Sequence, residues 1–327
     1  MTMNRKTWPA FLAVIALFSS LSSDGQKEVQ YTSFSGDAYM RYAYTGDKVA
    51  LLLPSSTYDP FVIQSLLQAY DGAYNFYAQA TGSVPSEAST YDGRLTIAVV
   101  DDTCGAGCGY LGFTGIELLD DFWLETYDAV LFDNQYDQIV FYELGRNFWF
   151  YEDEIALKPP DSIGVIPTGY AVAMRFESMD AAGVDGAPFG ALEFEDFRAQ
   201  VRGLVDQYES DPSLTFDNTI RIGESPLPWG ATDLFASFYL RLADEFGCFR
   251  SSIWRNVAAM PPALTTVDAI DNFAIAASLS AGRNLADRFR EDWRWPISDD
   301  AVAALDDFMD PDLSRDLVFQ SGLEPCL

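Results

Sequence analysis

The stretch Tyr142-Glu143-Leu144-Gly145-Arg146-Asn147-Phe148-Trp149 comes nearest, in residue types and spacing, to carrying chemistry. On a helix, positions i and i+4 share one face, so Tyr142 and Arg146 point the same way with Glu143 beside them. Imidazoles at such positions would hold a metal, and the carboxylate between them would handle the proton of a bound water. Here the carboxylate is present, but a phenol and a guanidinium stand at the flanking positions. A tyrosine is a poor zinc ligand at neutral pH, and the permanent charge of arginine repels a dication. The 327-residue chain has no histidine, so no imidazole can arrive from elsewhere.

These residues need a helix and a scaffold around it. Val29 to Phe34, Val49 to Pro54, Arg94 to Val100 and Tyr127 to Phe132 read as strands. Asp59 to Thr81 carries apolar residues at near-helical spacing and is closed by Gly82. Helices are predicted over Gln135–Tyr151, Thr168–Met179, Glu193–Tyr208, Thr232–Phe246, Val267–Ala281 and Asp299–Met309. Lys158-Pro159-Pro160 breaks the first two apart. Strands crowd the first 135 residues and helices fill the rest, which is an α+β order and not an alternation of β-α units. The expected organisation is a signal peptide at 1–23, an α+β lobe at 24–134 and a mainly helical lobe at 135–327 that carries the motif helix.

The motif resembles the HExxH helix of gluzincin zinc peptidases, with both ligand histidines replaced. In that family a second helix supplies a third ligand, a Glu commonly followed by Gly and then Ala. Thr168-Gly169-Tyr170-Ala171 is similar to that segment, which would put Thr168 at the third ligand position. Gly230-Ala231-Thr232-Asp233-Leu234-Phe235, then Ala281-Gly282-Arg283-Asn284-Leu285, and finally Phe289 with Trp293-Arg294-Trp295-Pro296-Ile297-Ser298, resemble the C-terminal helical lobe of enhancin-like gluzincins. The resemblance spans about Asp59 to Met309. It implies a peptidase scaffold in which Tyr142, Arg146 and Thr168 are relict ligand positions and Glu143 a relict catalytic residue. No zinc and no other cofactor is expected. Arg146 can stand where the metal stood and pair with Glu143 or a neighbouring carboxylate, with the Tyr142 hydroxyl in the same network. That cluster is either structural, holding two helices together, or the floor of a binding groove in which Arg146 reads a carboxylate or sulfate.

The rest of the chain bounds the partners. With 49 acidic against 20 basic residues the net charge is −29, a surface that repels nucleic-acid phosphates and anionic lipids. Asn4-Arg5-Lys6, the apolar run Trp8 to Leu17 and the small residues Ser19, Ser20, Ser22 and Ser23 follow the order of a secretory signal, with cleavage expected near Ser23–Asp24. The run is shorter than the ~20 apolar residues a membrane span needs, and no later segment is long enough. Four cysteines in an oxidising compartment allow three pairings, of which Cys104–Cys108 and Cys248–Cys326 are expected. A metal site built on Cys104 and Cys108 lacks a second cysteine pair or a histidine.

Other features are read more plainly. Asp101 to Gly109 is a glycine-rich turn pinned by its disulfide, and Glu152, Asp153 and Glu154 form a solvated helix end. Trp149, Trp229, Trp293 and Trp295 are core residues or, if exposed, platforms for sugar rings. The function expected is a secreted pseudopeptidase that binds an extracellular protein, peptide or glycan. Two rivals remain: a metal-free hydrolase using Glu143, and an acidic matrix protein that buffers cations.

Overall fold

The computed structural model describes residues 27–308. The expected signal peptide and Cys326 lie outside the described residues, as does the final residue of the helix expected to end at Met309.

Seven strands precede most of the helices: β1 (Lys27–Thr32), β2 (Ala38–Thr45), β3 (Val49–Leu53), β4 (Thr90–Tyr91), β5 (Arg94–Val100), β6 (Gly107–Gly109) and β7 (Ile116–Leu119). They form one mixed sheet in the order β1-β2-β3-β5-β7-β6, with β4 paired to β5. β3, β5 and β7 run parallel, while β6 is antiparallel to β7 at the edge. Every residue of β3 is buried because both faces of the sheet are covered. Val49, Leu51 and Leu53 join the main core, and Leu52 packs with Tyr31, Ala98 and Val100 on the opposite face.

Eleven α-helices are found among the described residues: α1 (Pro60–Thr81), α2 (Asp120–Asp133), α3 (Ile139–Asn147), α4 (Glu152–Ile155), α5 (Val165–Ala182), α6 (Phe194–Arg202), α7 (Leu204–Ser210), α8 (Gly230–Glu245), α9 (Phe249–Ala258), α10 (Thr266–Ala281) and α11 (Asp299–Phe308). The architecture is α+β, as the order of elements predicts. One hydrophobic core runs from Leu51 in the sheet through Tyr77 and Tyr170 to Trp295, so side chains from both sides of residue 134 share it.

α1 shows how local sequence sets an element. The Asp59 carboxylate accepts the backbone N–H of Phe61 at 2.8 Å and of Val62 at 3.3 Å, and Pro60 opens the first turn. Gly82 ends the helix in the left-handed region at φ 71°, where a side chain would be strained. Val62, Leu66, Tyr70, Ala73 and Tyr77 make the buried stripe. Each large side chain in such a stripe contributes about 1.5–3 kcal/mol by leaving water.

Several expectations need correction. Tyr127–Phe132 is not a strand but the second half of α2. Asp120 and Asp121 in its first turn favour a helix start, Trp123, Thr126 and Val130 make its buried face, and Asn134 caps it at φ 54°. The motif helix is α3, shorter than Gln135–Tyr151 at both ends. Asp137 Oδ1 takes the Ile139 N–H at 2.7 Å at its start, and Phe148 leaves helical geometry at its end. Glu193–Tyr208 is two helices that meet at Gly203. β2, β4, β6, β7, α4 and α9 were not anticipated.

Two close approaches fix where α3 and α5 lie. A Cβ on Gly145 would sit 3.0 Å from the Ala171 Cα and 3.0 Å from the Tyr77 hydroxyl, which itself donates to the Phe141 carbonyl. A Cβ on Gly169 would sit 2.6 Å from the Thr232 carbonyl of α8. These glycines let α3, α5 and α8 pack at backbone contact distance. Behind them Trp254 of α9 stacks between Tyr151 and Tyr239, with Tyr170 edge-on at 4.5 Å.

Candidate functional site

The site is the junction of β6 with α3. On its inner side β6 pairs with β7, continued by the Leu119 N–H donating to the Ala106 carbonyl at 3.0 Å. Its outer side meets helix side chains instead of another strand. The Gly109 N–H donates to Glu143 Oε2 at 2.7 Å, and the Gly109 carbonyl accepts from Arg146 Nε at 2.8 Å. Asn147 Nδ2 donates to the Tyr110 carbonyl at 3.1 Å, and the Gly112 N–H donates to the Arg146 carbonyl at 3.1 Å. A Cβ on Gly109 would lie 2.8 Å from the Glu143 carbonyl, so only glycine allows the strand this near the helix. The Cys104–Cys108 disulfide, Cα to Cα 5.5 Å, closes the loop that delivers β6.

Glu143 is 5% exposed. Burial pushes its carboxyl up to about 7, against the pull of Arg146, whose Nε lies 3.6 Å from Oε2, and of the Gly109 N–H. The Arg146 side chain keeps 27% of its surface in solvent. Burial also raises the Tyr142 phenol, with Arg146 partly offsetting it. Glu143 and Arg146 therefore meet as the pairing expectation has it, and Tyr142 sits within the reach of that charge.

Thr168 is in the first turn of α5, and its hydroxyl makes no hydrogen bond among the described residues. It takes no part in the Glu143–Arg146 pair. The four positions do not fit a zinc ion. One is a phenol held neutral, one a cation, one a hydroxyl without a polar partner, and Glu143 is committed to a backbone amide.

Arg175 was missed by sequence reasoning. It is buried in α5, donates to Gln138 Oε1 at 2.7 Å and pairs with Asp233 at 3.7 Å. Burial lowers it to about 10 against the pull of Asp233. Its guanidinium carbon lies 4.8 Å from the Phe197 ring and 5.8 Å from that of Tyr142. A lone arginine inside the apolar run Ala171–Phe176 was the available signal.

Of the four tryptophans considered as sugar platforms, Trp149, Trp293 and Trp295 are buried, and Trp229 is half-buried against Phe197. Glu152 and Asp153 are exposed, and Glu152 accepts from Trp149 Nε1 at 3.0 Å. Cys248 is disulfide-bonded. The expected Cys248–Cys326 pairing falls on a residue outside the described range. No described helix is long and apolar enough to cross a membrane.

Beside the clamp, Tyr110, Leu111, Phe113 and Arg146 line an open depression of about 490 Å³.

No protein-family profile matches the chain, and no curated protein matches it. Among solved structures, that of a functionally unknown conserved protein from Bacillus anthracis str. Ames is similar, with a TM-score of 0.50 and 11% identity over 87% of this chain and 52% of that one. A mutant of a functionally unknown conserved protein from the same organism gives a TM-score of 0.49 and 12% identity over the same shares. The likeness to the first is one of fold, and the chain spans about half the length of these structures.

Proposed function

We propose that this chain is a secreted pseudopeptidase, a gluzincin-like scaffold that binds an extracellular partner without zinc hydrolysis. The observation that carries the reading is the clamp on Gly109. Glu143, at the position of the catalytic carboxylate, accepts a backbone N–H of the edge strand, and Arg146, at a ligand position, donates to the same residue's carbonyl. An edge strand beside a peptidase cleft is a surface on which an extended peptide can pair. At Gly109 that pairing capacity is already filled. Secretion is supported by the basic, apolar and small order of residues 4–23 and by the Cys104–Cys108 disulfide.

One observation favours a metal-free hydrolase instead: a carboxyl raised to about 7 is matched to general-base work near neutrality. Against it, Glu143 is 5% exposed and already holds Gly109. Elemental analysis of the purified protein, beside a peptide and glycan hydrolysis screen of wild type and Glu143→Gln, tests the reading. The expected result is less than stoichiometric zinc and no turnover. One tightly held zinc per chain, or any turnover that Glu143→Gln abolishes, would overturn it.

A further inference from the structure

The depression beside Arg146 has a composition of its own. Three of its four lining residues are apolar or aromatic, the fourth is a cation, and none is acidic. Its size falls in the ~300–1,000 Å³ range of small-ligand sites. Tyr110 and Phe113 are 49% and 55% exposed, and the Phe34 ring lies 4.9 Å from that of Tyr110, inclined by 51°. Arg146 gives Nε to Gly109. Its two Nη nitrogens donate to no carboxylate or backbone acceptor among the described residues, and the Tyr142 hydroxyl is a side-chain partner of the guanidinium. The guanidinium is thus fixed at Nε and flanked by the phenol, and the remaining part of its fork suits a carboxylate.

We propose that this depression captures the free C-terminus of a peptide that ends in an apolar residue and carries basic residues upstream. The terminal carboxylate meets the Arg146 fork, and the last side chain lies against Tyr110, Leu111 and Phe113. The inference rests on the binding role given to the relict site above. It deepens that role with a ligand class.

Two arguments select a chain terminus over an internal segment or a small acid. Glu143 and Arg146 already fill the hydrogen-bonding groups of Gly109, so an internal segment gains no sheet pairing at that residue, whereas a terminal carboxylate needs only the Arg146 fork. The chain as a whole carries −29, and exposed Glu87 follows Ser86, whose backbone bridges to Phe113 of the depression. Such a field opposes a bare anion and favours a ligand whose single carboxylate is followed back along the chain by lysines or arginines.

The test is fluorescence anisotropy with labelled peptides of a Lys-Lys-Ala-Ala leader and each of the twenty residues at the C-terminus, as free acids and as amides. Phenylpropanoate serves as a small-acid competitor. Free acids ending in Phe, Leu or Met are expected to bind, and the amides to bind about tenfold or more weaker. Phe113→Ser, an exposed change, is expected to weaken binding with an unaltered melting curve, and a Glu-Glu-Ala-Ala leader to weaken it further. Equal binding of acids and amides, no binding of any peptide at millimolar protein, or phenylpropanoate binding as tightly as the best peptide would each overturn the inference. Mass spectrometry of the peptides after incubation separates the two readings. Cleavage would sink the pseudopeptidase reading, whereas absent binding without cleavage would sink this inference alone.

Discussion

Glu143 and Arg146, three residues apart on α3, bind both backbone groups of one residue, Gly109, 34 positions or more earlier in the chain. Their 3.6 Å ion pair is therefore part of a three-way arrangement in which a buried carboxyl, an arginine and an edge strand depend on one another. Three consequences can be measured, and the cysteines add a separate test.

The first concerns pH. Burial raises the folded-state pKa of Glu143 from 4.5 to about 7. The folded protein then holds a proton that the unfolded chain has released, so stability is full below about 4.5 and declines as pH rises through 7. Removing the titration should remove that decline, whose full extent is roughly 3 kcal/mol. In melts from pH 4.5 to 8.5 the stability difference between wild type and Glu143→Gln should shift in favour of the variant as pH rises. Parallel curves would contradict the assignment.

Arg146 should be worth less than a fully buried ion pair. Deleting it leaves Glu143 beside an empty space, but that carboxyl can take up a proton, which limits the penalty. Arg146→Ala should cost about 1–3 kcal/mol at pH 7 and more at pH 8.5. Adding Glu143→Gln should recover part of the loss at the higher pH. Arg146→Lys should not restore the contact, because an ammonium lacks the Nε that reaches Gly109 while leaving a fork free. Denaturant titrations read all three.

Gly109→Ala tests the closeness of strand and helix. The added methyl meets the Glu143 carbonyl and carboxylate and Asn147 Nδ2 at 2.8–3.1 Å, so α3 or β6 must shift. A loss of about 1–3 kcal/mol is expected, with faster hydrogen exchange at residues 107–112. Wild-type exchange and melting in the variant would refute the packing.

The cysteines give a chemical test. Native protein should show no alkylatable thiol, and the Cys104–Cys108 link should appear in peptide maps. Cys104→Ser with Cys108→Ser should cost about 2 kcal/mol, as befits a small closed loop. Four free thiols, or Cys104 joined to Cys248, would overturn the connectivity.

How much of this was legible in the sequence differs from element to element. α1 was, because Asp59, Pro60 and Gly82 punctuate it and its apolar residues keep one face. α2 was misread because Tyr127–Phe132 is rich in β-favouring types, whereas the deciding signals were Asp120, Asp121 and the spacing of Trp123, Thr126 and Val130. β6 and β7 span three and four residues, too few for a period to show, and their pairing is set by tertiary contacts. The adjacency of Glu143 and Arg146 follows from helix geometry. Their shared target does not, since nothing local in α3 names Gly109. Thr168 matched a motif by its neighbours Gly169 and Ala171, and those neighbours turn out to serve helix packing.

The aromatic stack around Trp254 makes the protein its own optical gauge. The indole lies 5.3 Å from the rings of both Tyr151 and Tyr239, inclined by 25° and 19°, and is fully buried. Rings held this close and this parallel couple their transitions, and the coupling vanishes when side chains lose fixed orientation even if helices persist. The near-ultraviolet circular dichroism of the intact chain will therefore report whether α4, α5, α8 and α9 are docked, separately from whether they are helical.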